Sequence, residues 1–360
     1  MPNSPLATAL PFTASRRAAL RIGLGLGAGL ALSGCAGPRP PMSSASPLPS
    51  PHPLADLPMH PARIDGAGWF DWEDHASGQR WRIWLQMPEQ PAPPEGYPAL
   101  VVLDGNAIFP LAAQWARLQQ TRPVYVRGQP SVIIGIGHPG DALFDATSRR
   151  RDYTPPAPGV QAPEGGADRL LDFLEHVLLA DWAQRLPLNR QRLGLFGHSL
   201  SGLFVLHALF TRPALFGQYY AASPSIWWHD AYLLQEQARF TQRYASHYGG
   251  AQPSGQAQVF LYAGSLEEPS AQGRPAHAPP TGQRHTVRLQ ITRAREMAQQ
   301  LAALRWPGLQ AQFQLWPDLT HGDTMMPSLM QAVANTSRPA QWKDADYGLQ
   351  PPQASGASGR

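Results

Sequence analysis

The chain has 360 residues, 43% apolar and 9% aromatic, which allows a sizeable core and excludes a disordered or fibrous protein. Its formal charge of +4 includes Arg16, Arg17 and Arg21 of an acid-free N-terminal segment, and without that segment the charge falls to about +1. Nucleic acid is therefore not an expected partner, and a lone cysteine, Cys35, excludes an intrachain disulfide.

From its start the chain runs through Ser15-Arg16-Arg17-Ala18-Ala19-Leu20-Arg21, a twin-arginine pattern, into an apolar stretch from Ile22 to Leu32. That stretch is too short for a bilayer, which takes about 20 residues, and reads as the apolar region of a signal peptide. It ends at Leu32-Ser33-Gly34-Cys35, a lipoprotein-type box whose small residues expose the bond before Cys35 to a peptidase and whose thiol takes a diacylglyceryl group. Residues 1–34 are thus expected to be a twin-arginine signal peptide of lipoprotein type, Cys35 the lipidation site, and the periplasm the location. A plain signal peptide or an uncleaved anchor would use the same run. Residues 35–63 read as a tether, with nine prolines between 36 and 61 and no apolar periodicity. A single domain is expected over 64–347, and 348–360, rich in Pro, Gly, Ser and Gln, as a disordered tail.

Within the domain short β-type runs alternate with helical patterns. Strands are predicted at Trp81–Leu85, Ala99–Leu103, Val132–Ile136, Arg192–Phe196, Gln218–Ala222, Gln258–Ala263 and Gln312–Trp316. Helices are predicted at Ala107–Gln120, Ala167–Arg185, Leu200–Thr211, Asp230–Tyr244 and Thr286–Leu304. Most of the strands are apolar nearly throughout, as strands covered on both faces must be. The fold class is therefore α/β: a mostly parallel sheet with helices on both faces, and reactive groups at the carboxyl ends of its strands.

The strongest chemical signal is Gly197-His198-Ser199-Leu200-Ser201-Gly202 between a strand and an apolar helix, the setting of a nucleophile elbow. Ser201 takes the place of the last glycine of G-x-S-x-G. A plain Gly/Ser turn in a βα unit is the structural alternative. A serine hydroxyl needs a base, which in this chain order comes last; His321, in the loop after Gln312–Trp316, stands where the base belongs, while His198 is expected to pack or bond locally. The acid should follow the preceding strand, where Glu267 is favoured over Glu268, Asp318 or no acid at all. The amides of Leu200 and Asn106 are the expected oxyanion donors. No H-E-x-x-H or clustered His/Asp/Cys pattern occurs, so neither a metal nor a cofactor is expected.

Five stretches together resemble the Putative esterase family of α/β-hydrolases: Tyr97-Pro98 with Leu103-Asp104-Gly105-Asn106-Ala107; Arg149-Arg150-Arg151-Asp152-Tyr153-Thr154-Pro155; Gly197 to Leu203; Ala222-Ser223-Pro224-Ser225; and Thr320-His321-Gly322. Within that family the pattern is most similar to periplasmic ferric-siderophore esterases of the enterobactin and salmochelin type. The resemblance implies the α/β-hydrolase fold, Ser199 as nucleophile and His321 as base, in a family whose members work with or without an acid at the Glu267 position. It also implies a trilactone of catechol-acylated serine as substrate, with or without iron. Such a ligand is anionic when iron-loaded, which would bring Arg149, Arg150 and Arg151 to its charge and Trp227 or Trp228 to its rings. A carboxylesterase for feruloyl, acyl-sugar or short-chain esters is the alternative enzyme. The alternative of another class is a lipoprotein that binds a ferric chelate without catalysis.

Overall fold

The β-branched and aliphatic runs of the sequence become strands whose two faces are both covered. The computed structural model describes residues 62–75, 77–123, 127–247, 257–268 and 289–338, all within the unit Pro61–Arg360. The signal peptide, Cys35, nearly all of the tether and the tail lie outside the described residues. The strands are β1 (Ala67–Asp74), β2 (Gln79–Gln86), β3 (Tyr97–Leu103), β4 (Val132–Gly137), β5 (Leu188–His198), β6 (Gln218–Ala222), β7 (Ala257–Gly264) and β8 (Leu309–Trp316). They form one sheet in the order β1-β2-β4-β3-β5-β6-β7-β8. From β4 onward every pairing is parallel, while β1 and β2 are antiparallel additions at one edge. The order reverses between β3 and β5, so the carboxyl ends of those two strands open the crevice where α/β sheets place their ligands.

The helices are α1 (Gly105–Gln120), α2 (Ala146–Tyr153), α3 (Ala167–Asp172), α4 (Leu179–Arg185), α5 (Leu200–Thr211), α6 (Trp228–Ala231), α7 (Leu233–His247), α8 (Gln290–Ala303) and α9 (Met325–Ser337). A π-helical segment, Phe173–Leu178, joins α3 to α4 and makes one continuous element of the predicted Ala167–Arg185. Two apolar clusters cover the sheet. One gathers Leu170, Leu203, Val205, Leu209 and Met297; the other packs Ile108, Phe109, Leu329 and Val333 of α1 and α9 on the opposite face. The elbow helix α5 is buried almost all round, as a helix between a sheet and further helices must be.

A charge cluster around a buried histidine ties α5 to α3 and α7. His207, with a side chain 1% exposed, bonds Glu236 of α7 at 2.8 Å through Nδ1 and Asp168 of α3 at 3.0 Å through Nε2. Burial opposes its charged form, but the two carboxylates outweigh burial and raise its pKa to about 9. In the unfolded chain the group titrates near 6.5. The imidazolium therefore contributes about 3 kcal/mol of stability below pH 6.5, and that contribution disappears as the pH rises through about 9. The melting temperature is expected to fall over this window more steeply in the wild type than in His207→Gln, as differential scanning calorimetry would record. Equal slopes would show that His207 is not charged in the folded protein.

Candidate active site

β5 ends at His198, and α5 begins at Leu200, so Ser199 must turn the chain within one residue. It does so at φ 63°, ψ −116°, a conformation that costs energy in any residue with a Cβ. The flanking small residues are required by close approach: a Cβ on Gly197 would come within 2.2 Å of the Ser201 carbonyl oxygen. The Ser199 N–H donates to Ala222 O (3.0 Å), and the Ser199 carbonyl accepts from Ser225 N (3.0 Å). The elbow is thus pinned to the end of β6.

Ser201 explains its own departure from glycine. Fully buried, it accepts the His198 amide (2.8 Å) and donates to Asp104 Oδ2 (2.7 Å). Asp104 is the residue before α1 and has φ 54°; its amide bonds Tyr153 Oη at 3.0 Å. The Ser201–Asp104 bond therefore brings the N-terminus of α1 against that of α5. Leu200 and Asn106 stand in the first turns of these two helices, where amides have no intrahelical acceptor and favour negative charge. The Asn106 side chain staples the loop after β4 by donating to the carbonyls of His138, Gly140 and Ala142.

An unpaired Asp104 carboxylate at this point would repel a developing oxyanion. Arg149 neutralises it through Nε–Oδ1 at 2.8 Å and Nη2–Oδ2 at 3.2 Å, and also reaches the His198 carbonyl at 3.4 Å. This corrects the reading of the arginine run as a clamp for a ligand's charge. Arg149 is committed to Asp104 and Arg151 to Asp152 at 2.8 Å, so of the three only Arg150 is exposed without an acidic partner among the described residues. Trp228 is likewise 8% exposed within the core, and Trp227 half-buried. Because Asp104 is 1% exposed, Arg149→Leu leaves a buried charge unpaired, and about 3–5 kcal/mol of stability should be lost in urea denaturation. Arg149→Leu combined with Asp104→Asn should recover part of it, since the orphaned charge is then gone.

β8 delivers the imidazole. After Trp316 the chain turns at Asp318 (φ 55°) and reaches His321, whose side chain is 45% exposed. Its Nδ1 bonds Glu267 Oε2 at 2.7 Å, and the Glu267 side chain is 2% exposed. Burial pushes that carboxyl upward, but hydrogen bonds from His321, from Ser223 Oγ (2.6 Å) and from the Gly264 amide (2.6 Å) outweigh it and hold the pKa below the usual glutamate range. Glu268 faces the other way, accepting from the Thr292 amide (2.7 Å) and Oγ1 (2.8 Å) in the first turn of α8. The Asp318 amide donates to Ser265 Oγ at 2.8 Å, which holds the turn rather than the imidazole.

The His321 ring lies 4.8 Å from the ring of His198, so the imidazole stands beside the elbow. Ser199 Oγ makes its hydrogen bond to Ser225 Oγ at 3.3 Å; among the described residues no bond joins it to His321. Nucleophile–base bonds are often long without substrate and tighten when it binds. A hydroxyl on a helix N-terminus, an imidazole oriented by an ionised carboxylate and two first-turn helix amides are the parts needed for acyl transfer. A groove of about 760 Å³ along α1 and α9, lined by Leu111, Trp115, Met326 and Met330 among others, contains none of these residues.

Sequence reasoning missed Ser223, Thr324 and the tie between Ser201 and Asp104. Ser223 and Ser225 sit in the Ser-Pro-Ser stretch that carried part of the family resemblance, and that was the available signal. His198 was expected to bond locally; its amide does, but its ring crosses to the carbonyl of His321.

The family model described as Putative esterase matches residues 75–321. Ferri-bacillibactin esterase BesA of Bacillus subtilis (strain 168) is 32% identical over 243 residues, covering 65% of this chain and 76% of the relative. Apo-salmochelin esterase of Escherichia coli O6:H1 is 35% identical over 163 residues, 42% of this chain and 49% of the relative. Among solved structures, the BES protein from Bacillus cereus superposes with a TM-score of 0.67 at 26% identity, covering 79% of this chain and 99% of that one.

Proposed function

The chain belongs to the Putative esterase family and is a carboxylic ester hydrolase, and from that premise we propose that it hydrolyses the ester bonds of catecholate siderophores through an acyl-enzyme at Ser199. The arrangement of Glu267, His321 and the Ser199 elbow carries the catalytic part of this reading. The names of the relatives, a ferri-bacillibactin esterase and an apo-salmochelin esterase, carry the substrate class.

In the first half-reaction Ser199 Oγ adds to the ester carbonyl carbon while its proton passes to His321 Nε2. The carbonyl oxygen, now an oxyanion, accepts the amides of Leu200 and Asn106. The C–O bond to the serine alkoxide of the trilactone breaks, and that oxygen takes the proton from His321. Water then adds to the acyl-enzyme with His321 as base, releasing the carboxylic acid and restoring Ser199. Arg150 supplies charge toward an iron-loaded ligand, and Trp227 an aromatic face; the iron belongs to the substrate.

The test is kcat/KM for a catecholate trilactone, iron-free and ferric, against feruloyl and acetyl esters. The trilactone is expected to be preferred, with linearised and monomeric products seen by mass spectrometry. A preference for the simple esters would replace this reading with a general carboxylesterase. Twin-arginine export, lipidation at Cys35 and a periplasmic, membrane-held location belong to the same proposal, supported by the sequence of residues 15–35. Cys35→Ala should move the protein from the detergent phase to the aqueous phase in Triton X-114 partitioning; an unchanged partition would remove the anchor from the proposal.

A further inference from the structure

We propose that His198, the residue before the nucleophile, positions the base: its Nε2–H holds the backbone carbonyl of His321 and closes a ring of hydrogen bonds through Thr324, Ser223 and Glu267. This rests on the serine-hydrolase reading of the site and adds to it a residue whose work is done on His321 rather than on substrate.

The ring is short and, apart from the His321 side chain, buried. Glu267 grips the His321 side chain through Oε2 and is itself gripped through Oε1 by Ser223 Oγ at 2.6 Å. Ser223 Oγ lies 2.7 Å from Thr324 Oγ1, which lies 2.8 Å from the His321 carbonyl. The same carbonyl lies 2.7 Å from His198 Nε2, and Thr324 Oγ1 is 3.4 Å from that nitrogen. Ser223 and Thr324 are fully buried and His198 is 8% exposed. Ser223 adopts φ 42°, a conformation that costs energy and aims its hydroxyl across β6 and β7.

Counting protons assigns the roles. An ionised carboxylate only accepts, so the Ser223 proton goes to Glu267 Oε1. Thr324 has one proton for two contacts, with Ser223 Oγ at 2.7 Å and with the His321 carbonyl at 2.8 Å. Two hydroxyl protons serve three contacts. However they are shared, the His321 carbonyl can only accept, so its 2.7 Å contact with His198 Nε2 needs a proton on that nitrogen. His198 is therefore the neutral tautomer protonated at Nε2. Its burial and the neighbouring His321 keep its pKa near 4, so it stays neutral across the working range.

Both ends of the base residue are thereby fixed: the imidazole by Glu267, the main chain by His198, with the two hydroxyls joining one anchor to the other. A base held this way keeps its Nε2 aimed at the elbow, and a misplacement of about an ångström is worth on the order of a hundredfold in rate.

Two measurements test this. First, ¹⁵N-histidine NMR of the wild-type protein at pH 7 should show His198 protonated at Nε2 with a bare Nδ1; a proton on Nδ1 overturns the proposal. Second, p-nitrophenyl acetate hydrolysis and fluorophosphonate labelling should be compared in the wild type, His198→Leu and His198→Gln, whose terminal amide can donate from the place of Nε2. His198→Leu should lower kcat on the order of tenfold to a hundredfold with little change in KM, and His198→Gln should restore most of it. Equal losses in the two variants, or no loss in either, would assign His198 to packing alone. If the wild type itself neither labels nor hydrolyses, the serine-hydrolase reading fails, while the NMR result still decides the tautomer.

Discussion

Ser199→Ala is expected to lower kcat for ester hydrolysis by about ten-thousand- to million-fold, with KM little altered and no covalent label from a fluorophosphonate. The size of the effect follows from where the hydroxyl stands. A second hydroxyl, Ser225 Oγ, lies only 3.3 Å from Ser199 Oγ, so proximity to the imidazole does not by itself choose between them. The backbone does. Ser199 sits in a strained turn at the N-terminus of α5, next to the first-turn amide of Leu200, whereas Ser225 is 1% exposed and spends its amide on the Ser199 carbonyl. The hydrogen bond between the two hydroxyls gives Ser225 a supporting part, since with Ser225 as donor the Ser199 proton is left for His321. Ser225→Ala should therefore keep the label and most of the rate. Peptide mapping of the labelled wild type decides the matter: an adduct on Ser225, or labelling that persists in Ser199→Ala, would remove Ser199 from its role.

The strands were legible because both faces are covered, which leaves runs such as Ala99–Leu103 and Val132–Ile136 apolar at every position or nearly so. β1 was not, since Trp69, Phe70 and Trp72 alternate with glycine and acids along an exposed edge that looks like neither a core strand nor a helix. α2 was hidden by its arginines: Arg149 and Arg151 resemble a surface charge run until the structure shows them paired with buried carboxylates. At the site, chain order was enough to single out Ser199 and His321. It favoured Glu267 over Glu268, and the physical ground for that choice appears only in the structure, where these neighbouring residues of a turn point apart, one to the imidazole and the other to the start of α8. Nor could it find Ser223 or the reach of His198, whose partners stand 44 and 123 positions away and meet only when β5, β6, β7 and β8 lie side by side.

Glu267→Gln is expected to lower kcat by about a thousand- to ten-thousand-fold, although the side chain keeps its size and two polar ends. The reason is the number of donors around it. Oε1 accepts two hydrogen bonds, from Ser223 Oγ and the Gly264 amide, so the glutamine carbonyl oxygen must occupy that place. The NH2 group is then forced toward His321 Nδ1, 2.7 Å away, which can meet a donor only with a lone pair. His321 must move its proton to Nε2, the nitrogen that should receive the Ser199 proton, and a base with the wrong tautomer cannot act. The same substitution changes stability with a definite sign. The folded pKa of Glu267 lies below its ordinary value, so the carboxylate contributes stability above the unfolded pKa and loses it as pH falls through the folded one. The stability gap between wild type and Glu267→Gln should therefore narrow in acid, measured by urea denaturation from pH 7 downward. A variant that hydrolyses esters at the wild-type rate would show that Ser199 and His321 work without an acid, and that the Glu267 carboxylate serves the fold alone.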